Sequence, residues 1–241
     1  MNPWLSTFEW TALGVALIVA LTFQPWRVLA HRPLQNPWLA AMVLLPWAWW
    51  TRKLLPSGMA LHMSGACLLV LMFGWPMAVL MLVPIGLLAT LIDVFGPQHL
   101  SRVSTGLAGT PEWSALPTLL NERLDGIVSQ IVWMGVIPAT VALCIGLLMR
   151  RWLPRHLFVF ILGRGFMATA LAITASGALG LWAERQPPGL DSLEWMLGHW
   201  LLGWGEAIST GMLTAIFVAF KPHWLLTYSD ERYLPGPGPS P

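Results

Sequence analysis

Glu206 is a lone carboxylate inside the apolar run 195–220, WMLGHWLLGWGEAISTGMLTAIFVAF, which is long enough to span a bilayer. An ionisable group at membrane depth costs about 2.5 to 3.5 kcal/mol on insertion scales, so it should face a partner, a cavity or a substrate path rather than lipid. His199 lies seven residues earlier on the same helical face. Three further side chains could act as ligands: His62, Asp93 and His99. Imidazole and carboxylate together suit divalent first-row metals, so His62, Asp93, His99 and His199 are the candidate metal ligands. Each has a plainer reading. Asp93 and His99 could be solvated loop residues and His199 could bond a backbone carbonyl, whereas a buried His62 would need a partner.

A softer set surrounds His62. Met59, Met63 and Cys67 fall with it at helical spacing, and thioether, thiolate and imidazole would suit Cu(I) better than a hard ion. Met is also a common filler of apolar helices, which makes this stripe a subsidiary candidate. Arg164, in LGRGF, is the other charge within a long apolar run. It could snorkel to an interface, or pair with Glu206 across a depth gap of about 10 Å. No nucleophile or complete ligand set accompanies His62 and Glu206, so no catalytic residue is assigned and an enzyme is not expected.

The elements that must position these groups follow from composition. Of the 241 residues, 56% are hydrophobic and 10% charged, which implies an all-α, polytopic transmembrane helical bundle and leaves no room for a soluble domain. Hydropathy places spans near 9–25, 37–50, 59–73, 76–94, 127–149, 157–183 and 195–220. The count is seven, or six if the short second span, or the third or fourth, which only Gly74, Trp75 and Pro76 separate, is broken or re-entrant. Residues 1–228 form one domain, and the Pro/Gly-rich end, 229–241, is expected to be a disordered tail. The first residues lack the basic start of a secretory signal, so the first span is expected to be retained. Cys67 and Cys144 lie in separate apolar runs and predict no disulfide, and a net charge of +2 without a basic stripe excludes nucleic acid as a partner.

Charge placement orients the bundle. Arg27, Arg32, Arg150, Arg151, Arg155 and Lys221 follow spans one, five and seven, which puts the N-terminus outside and the C-terminus in the cytoplasm, with Arg52 and Lys53 as the violation. His62, Asp93, His99 and His199 then converge on the outer side. Many of the 16 Trp residues, among them Trp10, Trp49, Trp152 and Trp195, sit near span ends and read as interfacial anchors. Small residues at every fourth position, Ala12, Ala16, Ala20 and Ala168, Ala172, Ser176, Gly180, make flat faces for helix packing, within the protein or, for span one, equally against a partner.

Two stretches resemble a known family. HMSGACLLVLMFGWPMAVL, 62–80, is similar to the His-Pro-Thr-Gly and Phe-Gly-Pro-Trp-Pro segment of the cobalt and nickel uptake components of energy-coupling factor transporters. GEAISTGMLTAIFVAFKPHWL, 205–225, resembles that family's last helix. The resemblance implies a multi-pass protein of the bacterial inner membrane that captures a divalent metal, cobalt or nickel among them, as cargo and carries no prosthetic group. It implies as partners, besides membrane lipid, a transmembrane coupling subunit and ATPase subunits, since this chain has no Walker A motif. His62 matches the family's metal-binding histidine and Glu206 its last-helix acid, so the resemblance implies a gating or structural role for Glu206, and with it for Arg164, rather than a ligating one. The family's members begin Met-His, and the amine, the second amide and that histidine ligate the metal; here Asn2 and Pro3 cannot build that set. Either His62 holds a different metal with Asp93, His99 or His199, or the fold persists without the site. The alternative function is a structural or assembly subunit held by other membrane subunits.

Overall fold

A computed structural model describes residues 3–30, 32–51, 53–54, 60–95, 116–154, 156–229 and 233. Met59, His99 and the tail beyond Tyr233 lie outside the described residues. Seven helices account for nearly all of the described chain: α1 (Pro3–Thr22), α2 (Arg32–Trp50), α3 (Ala66–Phe73), α4 (Trp75–Phe95), then α5 in two α-helical parts (Leu116–Ile131 and Ile137–Trp152) joined by a π-helical turn (Val132–Val136). Helix α6 begins as a π-helix (Val159–Met167) and continues as Ala168–Trp182, and α7 is Ser192–Phe220. The only other regular structure is a pair of two-residue strands, Lys53–Leu54 and Ala60–Leu61, and two 3-10 turns, Pro25–Ala30 and Pro222–Trp224, among the described residues.

Five segments are long and apolar enough to cross a membrane: Trp4–Thr22, Trp75–Phe95, Asn121–Trp152, Val159–Trp182 and Ser192–Phe220. The chain is a multi-pass helical membrane protein. Helix α2 covers the second expected span, but it begins RPLQN and carries Pro37 and Pro46, and it is not among the five. The third expected span, 59–73, is helical only from Ala66, because Gly65 takes φ 66°, a left-handed conformation that costs L-residues about 1 to 2 kcal/mol, and stops the helix from extending backwards. A half-length helix and an extended approach replace a full crossing.

Contacts fix which helix ends share a side. Trp10 Nε1–H and Ser6 Oγ–H donate to Asp125, Arg123 pairs with Asp93, and Arg185 donates to Ser129, so the start of α1, the end of α4, the start of α5 and the end of α6 lie together. At the opposite end the N–H groups of Leu226 and Thr227 donate to the carbonyls of Met72 and Leu71, tying the exit of α7 to the end of α3. Lys221, Arg27, Arg150 and Arg151 belong to this second side.

The small-residue faces are internal. Ala16 and Ala20 on α1 are buried in the main core, and Ala168, Ala172, Ser176 and Gly180 on α6 are buried as well. Two tryptophans expected as anchors are core residues: Trp49 has no exposed surface and donates to the Ser64 carbonyl, and Trp195 donates to the Gly177 carbonyl. An indole survives burial where its N–H finds an acceptor, and close helix packing supplies one here. Tyr233 is buried against Phe160 and stacked on Tyr228.

Candidate functional site

The segment His62–Gly65 re-enters the bundle and is pinned at its far end. Ser64 N–H donates to Glu206 Oε2 at 2.8 Å and Gly65 N–H to Glu206 Oε1 at 2.9 Å. Glu206 therefore caps the start of α3: a carboxylate meets N–H groups at a helix N-terminus, where the helix dipole favours negative charge. Glu206 is 1% exposed, and it stands fourteen residues before the end of α7, about 21 Å of helical rise. The eight residues of α3 rise about 12 Å, so this helix fills only one half of the bundle's depth.

Ser64 is held from every direction. Its carbonyl accepts from Trp49 Nε1, its Oγ accepts from Ala66 N–H at 3.1 Å, and its Oγ–H donates to the Met134 carbonyl. The last bond has a local cause. Pro138, four residues after Met134, has no N–H to give, so the π-helical turn of α5 exposes a carbonyl for the loop to use. Cys67 Sγ–H lies 3.9 Å from the Pro138 carbonyl on the same contact. Because the backbone of Gly65 is left-handed and a Cβ there would meet the Leu45 side chain, Gly65→Ala is expected to destabilise the protein by about 1 to 2 kcal/mol. Heat unfolding in detergent measures this, and a wild-type midpoint would contradict the placement of the loop.

His62 is half-buried in this pinned loop, two residues before Ser64. The other expected ligands are elsewhere. Asp93 makes an exposed ion pair with Arg123 at 2.8 Å. His199 faces α6 at Gly177, bonds the Trp195 carbonyl through Nδ1 at 3.0 Å and packs against the Trp195 ring, with centroids 4.4 Å apart and planes tilted by 40°. Among the described residues no group of three His, Cys, Asp or Glu side chains is brought together. Of the soft-metal stripe, residues 62–65 are not helical, Met63 is exposed and Cys67 is buried in α3, while Met59 lies outside the described residues. Arg164 does not pair with Glu206. It lies over the Phe160 ring at 5.3 Å, with Nη1–H 3.5 Å from the Thr227 carbonyl and the Tyr233 hydroxyl.

One buried polar centre escaped the sequence reading. Glu9, 1% exposed in α1, accepts through Oε1 from Ser129 Oγ–H at 2.8 Å and Trp133 Nε1–H at 2.7 Å. Arg185 Nε lies 3.8 Å from the same oxygen, and its guanidinium sits over the Trp133 ring at 4.8 Å. Burial pulls the Arg185 guanidinium below its ordinary pKa, and the Glu9 carboxylate opposes that pull. The signal was available, since Glu9 lies inside an apolar helix just as Glu206 does.

Residues 130–224 match the family model of CbiM, the cobalt uptake substrate-specific transmembrane region. No curated protein and no solved structure matches the chain. The matched stretch holds Met134, Arg164, His199 and Glu206, and nearly all of the run 205–225. His62 and the run 62–80 fall before it.

Proposed function

We propose that this chain is the metal-capturing membrane subunit of a transition-metal uptake transporter, with a divalent cation such as cobalt as its cargo. The observation that carries this reading is the half-helix α3, whose approach loop is pinned at mid-depth by Glu206, a residue within the stretch similar to a cobalt uptake region. Broken helices at mid-membrane are how transporters build substrate sites, because a helix interruption frees backbone groups inside the bundle. Both Glu206 oxygens are committed to N–H groups, so its part is to fix the loop. His62 is then the ligand that the loop presents, and a neutral imidazole suits cobalt and nickel. The placement of Lys and Arg puts the Asp93 side outside, so the cation arrives from there and leaves towards a coupling subunit and its ATPases.

The second reading, a structural subunit of a larger membrane complex, draws on one observation: Asp93 and His199 have partners of their own and do not join His62. Elemental mass spectrometry of the detergent-purified protein separates the two. We expect a metal near one per chain that disappears in His62→Ala. Asp93→Asn should keep it and change stability by less than about 1 kcal/mol, because its ion pair is exposed. A metal-free wild type that takes up no added cobalt, nickel, copper or zinc would favour the structural subunit.

A further inference from the structure

Trp133 and Met134 are consecutive residues of the π-helical turn in α5, and each meets a different polar centre. Trp133, 8% exposed, donates its indole N–H to Glu9 Oε1 at 2.7 Å and lies under the Arg185 guanidinium at 4.8 Å. Met134 turns its carbonyl to the Ser64 Oγ–H, in the loop that carries His62. The next residue, Gly135, packs on Leu82 of α4 so closely that a Cβ would stand 2.7 Å from that side chain. The turn is therefore gripped on both sides of Met134. Within it Ile137 N–H reaches back five residues to the Val132 carbonyl, a register rare enough that outside contacts must hold it.

We propose that Trp133 is a positioning residue for the His62 loop: Glu9 and Arg185 fix the indole, the indole fixes the register of the π-turn, and that register aims the Met134 carbonyl at Ser64. Relaxation of the turn to the α register would shift the two halves of α5 by one residue relative to each other, about 100° around the axis. The Met134 carbonyl would then leave Ser64. Coupling between separate sites needs an element with two discrete arrangements, and the π and α registers of this turn are those arrangements. Arg185 also donates from Nη2 to Ser129 Oγ at 2.9 Å, and it is the most exposed member of the cluster, at 27% of its side chain. The functional consequence rests on the metal-capture reading: the state of the Asp93 side of the protein is felt at the loop that takes the cation.

The test is hydrogen exchange of the Ser64 and Gly65 amides, read by mass spectrometry on the full, metal-free chain in detergent. Trp133→Phe keeps a ring beneath Arg185 and loses the N–H to Glu9. It should lower the protection of these two amides roughly fivefold, the size of a coupling within one hydrogen-bond network. Trp75→Phe, which removes a comparable indole bond to Thr140 of α5, should leave the protection within about twofold of wild type. In the Ser64→Ala background, which lacks the hydroxyl that meets Met134, Trp133→Phe should bring no further loss. Should Trp133→Phe not fold, Glu9→Gln takes its place, with a smaller loss expected because the amide oxygen still accepts from the indole. Unchanged protection in the variant read, an equal loss in Trp75→Phe, or a loss that persists in full with Ser64→Ala would overturn the proposal. Cobalt is titrated separately. A chain with the expected exchange pattern that binds no cobalt would sink the capture reading and support the positioning role; cobalt binding with unchanged protection would do the reverse.

Discussion

Glu206→Ala is expected to lower stability by about 3 to 5 kcal/mol and the unfolding midpoint by roughly 10 °C. The physical reason is the pair of backbone N–H groups that Glu206 satisfies. Ser64 is buried and Gly65 half-buried, and a charged acceptor contributes about 1.5 to 3 kcal/mol per bond. Removing it leaves both donors without their acceptor. Glu206→Gln should also be costly, since the amide can offer an oxygen to one N–H and must turn its own N–H₂ towards the other. Asp in this position lacks the reach, so Glu206→Asp should not rescue. Tryptophan fluorescence during heating in detergent follows the transition. A midpoint of Glu206→Ala within about 2 °C of wild type would show that the carboxylate does not hold the loop.

Arg185→Met should cost about 2 to 4 kcal/mol, more than an ordinary surface arginine, because it strands the Glu9 carboxylate within the bundle. Oε2 of Glu9 has no hydrogen-bond partner among the described residues, so the charge already rests on Ser129, Trp133 and Arg185 alone. Glu9→Gln removes the charge and keeps an acceptor for Ser129 and Trp133. The double variant should therefore be more stable than the two single losses would sum to, with a coupling of about 1 kcal/mol or more. Additive losses in the thermal midpoints would mean that Glu9 and Arg185 do not act as a pair. The cluster ties α1 to α5 and to the link between α6 and α7, so its loss should loosen the Asp93 side of the bundle.

Hydropathy made the helical bundle legible, because long apolar runs have one stable form in lipid. It could not show how the run 59–73 is divided. Ser64 and Gly65 are two small residues in an apolar stretch, and only the left-handed backbone at Gly65 and the carboxylate on α7 turn them into a break. The need of Glu206 for a partner was readable, and its partner was not. Arg164 was the natural candidate by charge, yet backbone N–H groups from a segment over 140 residues earlier took that place. Glu9 met the same criterion and was passed over as part of the chain's start, since its partners are more than 100 residues away and no spacing links them. His62, Asp93 and His199 were gathered by topology alone, which gives a side of the membrane but not a radius. Asp93 and His199 found nearer partners, as polar groups do when a neighbouring helix supplies one.

The central claim is that the Glu206-pinned loop presents His62 to a divalent cation. Titration of the purified chain with cobalt(II), followed by its visible ligand-field absorption, tests it directly. The account predicts saturation near one cobalt per chain, a band that His62→Ala abolishes, and a weaker band in Glu206→Gln because the loop is no longer held. A wild type that shows no cobalt band, or a His62→Ala protein that titrates as wild type does, would contradict it.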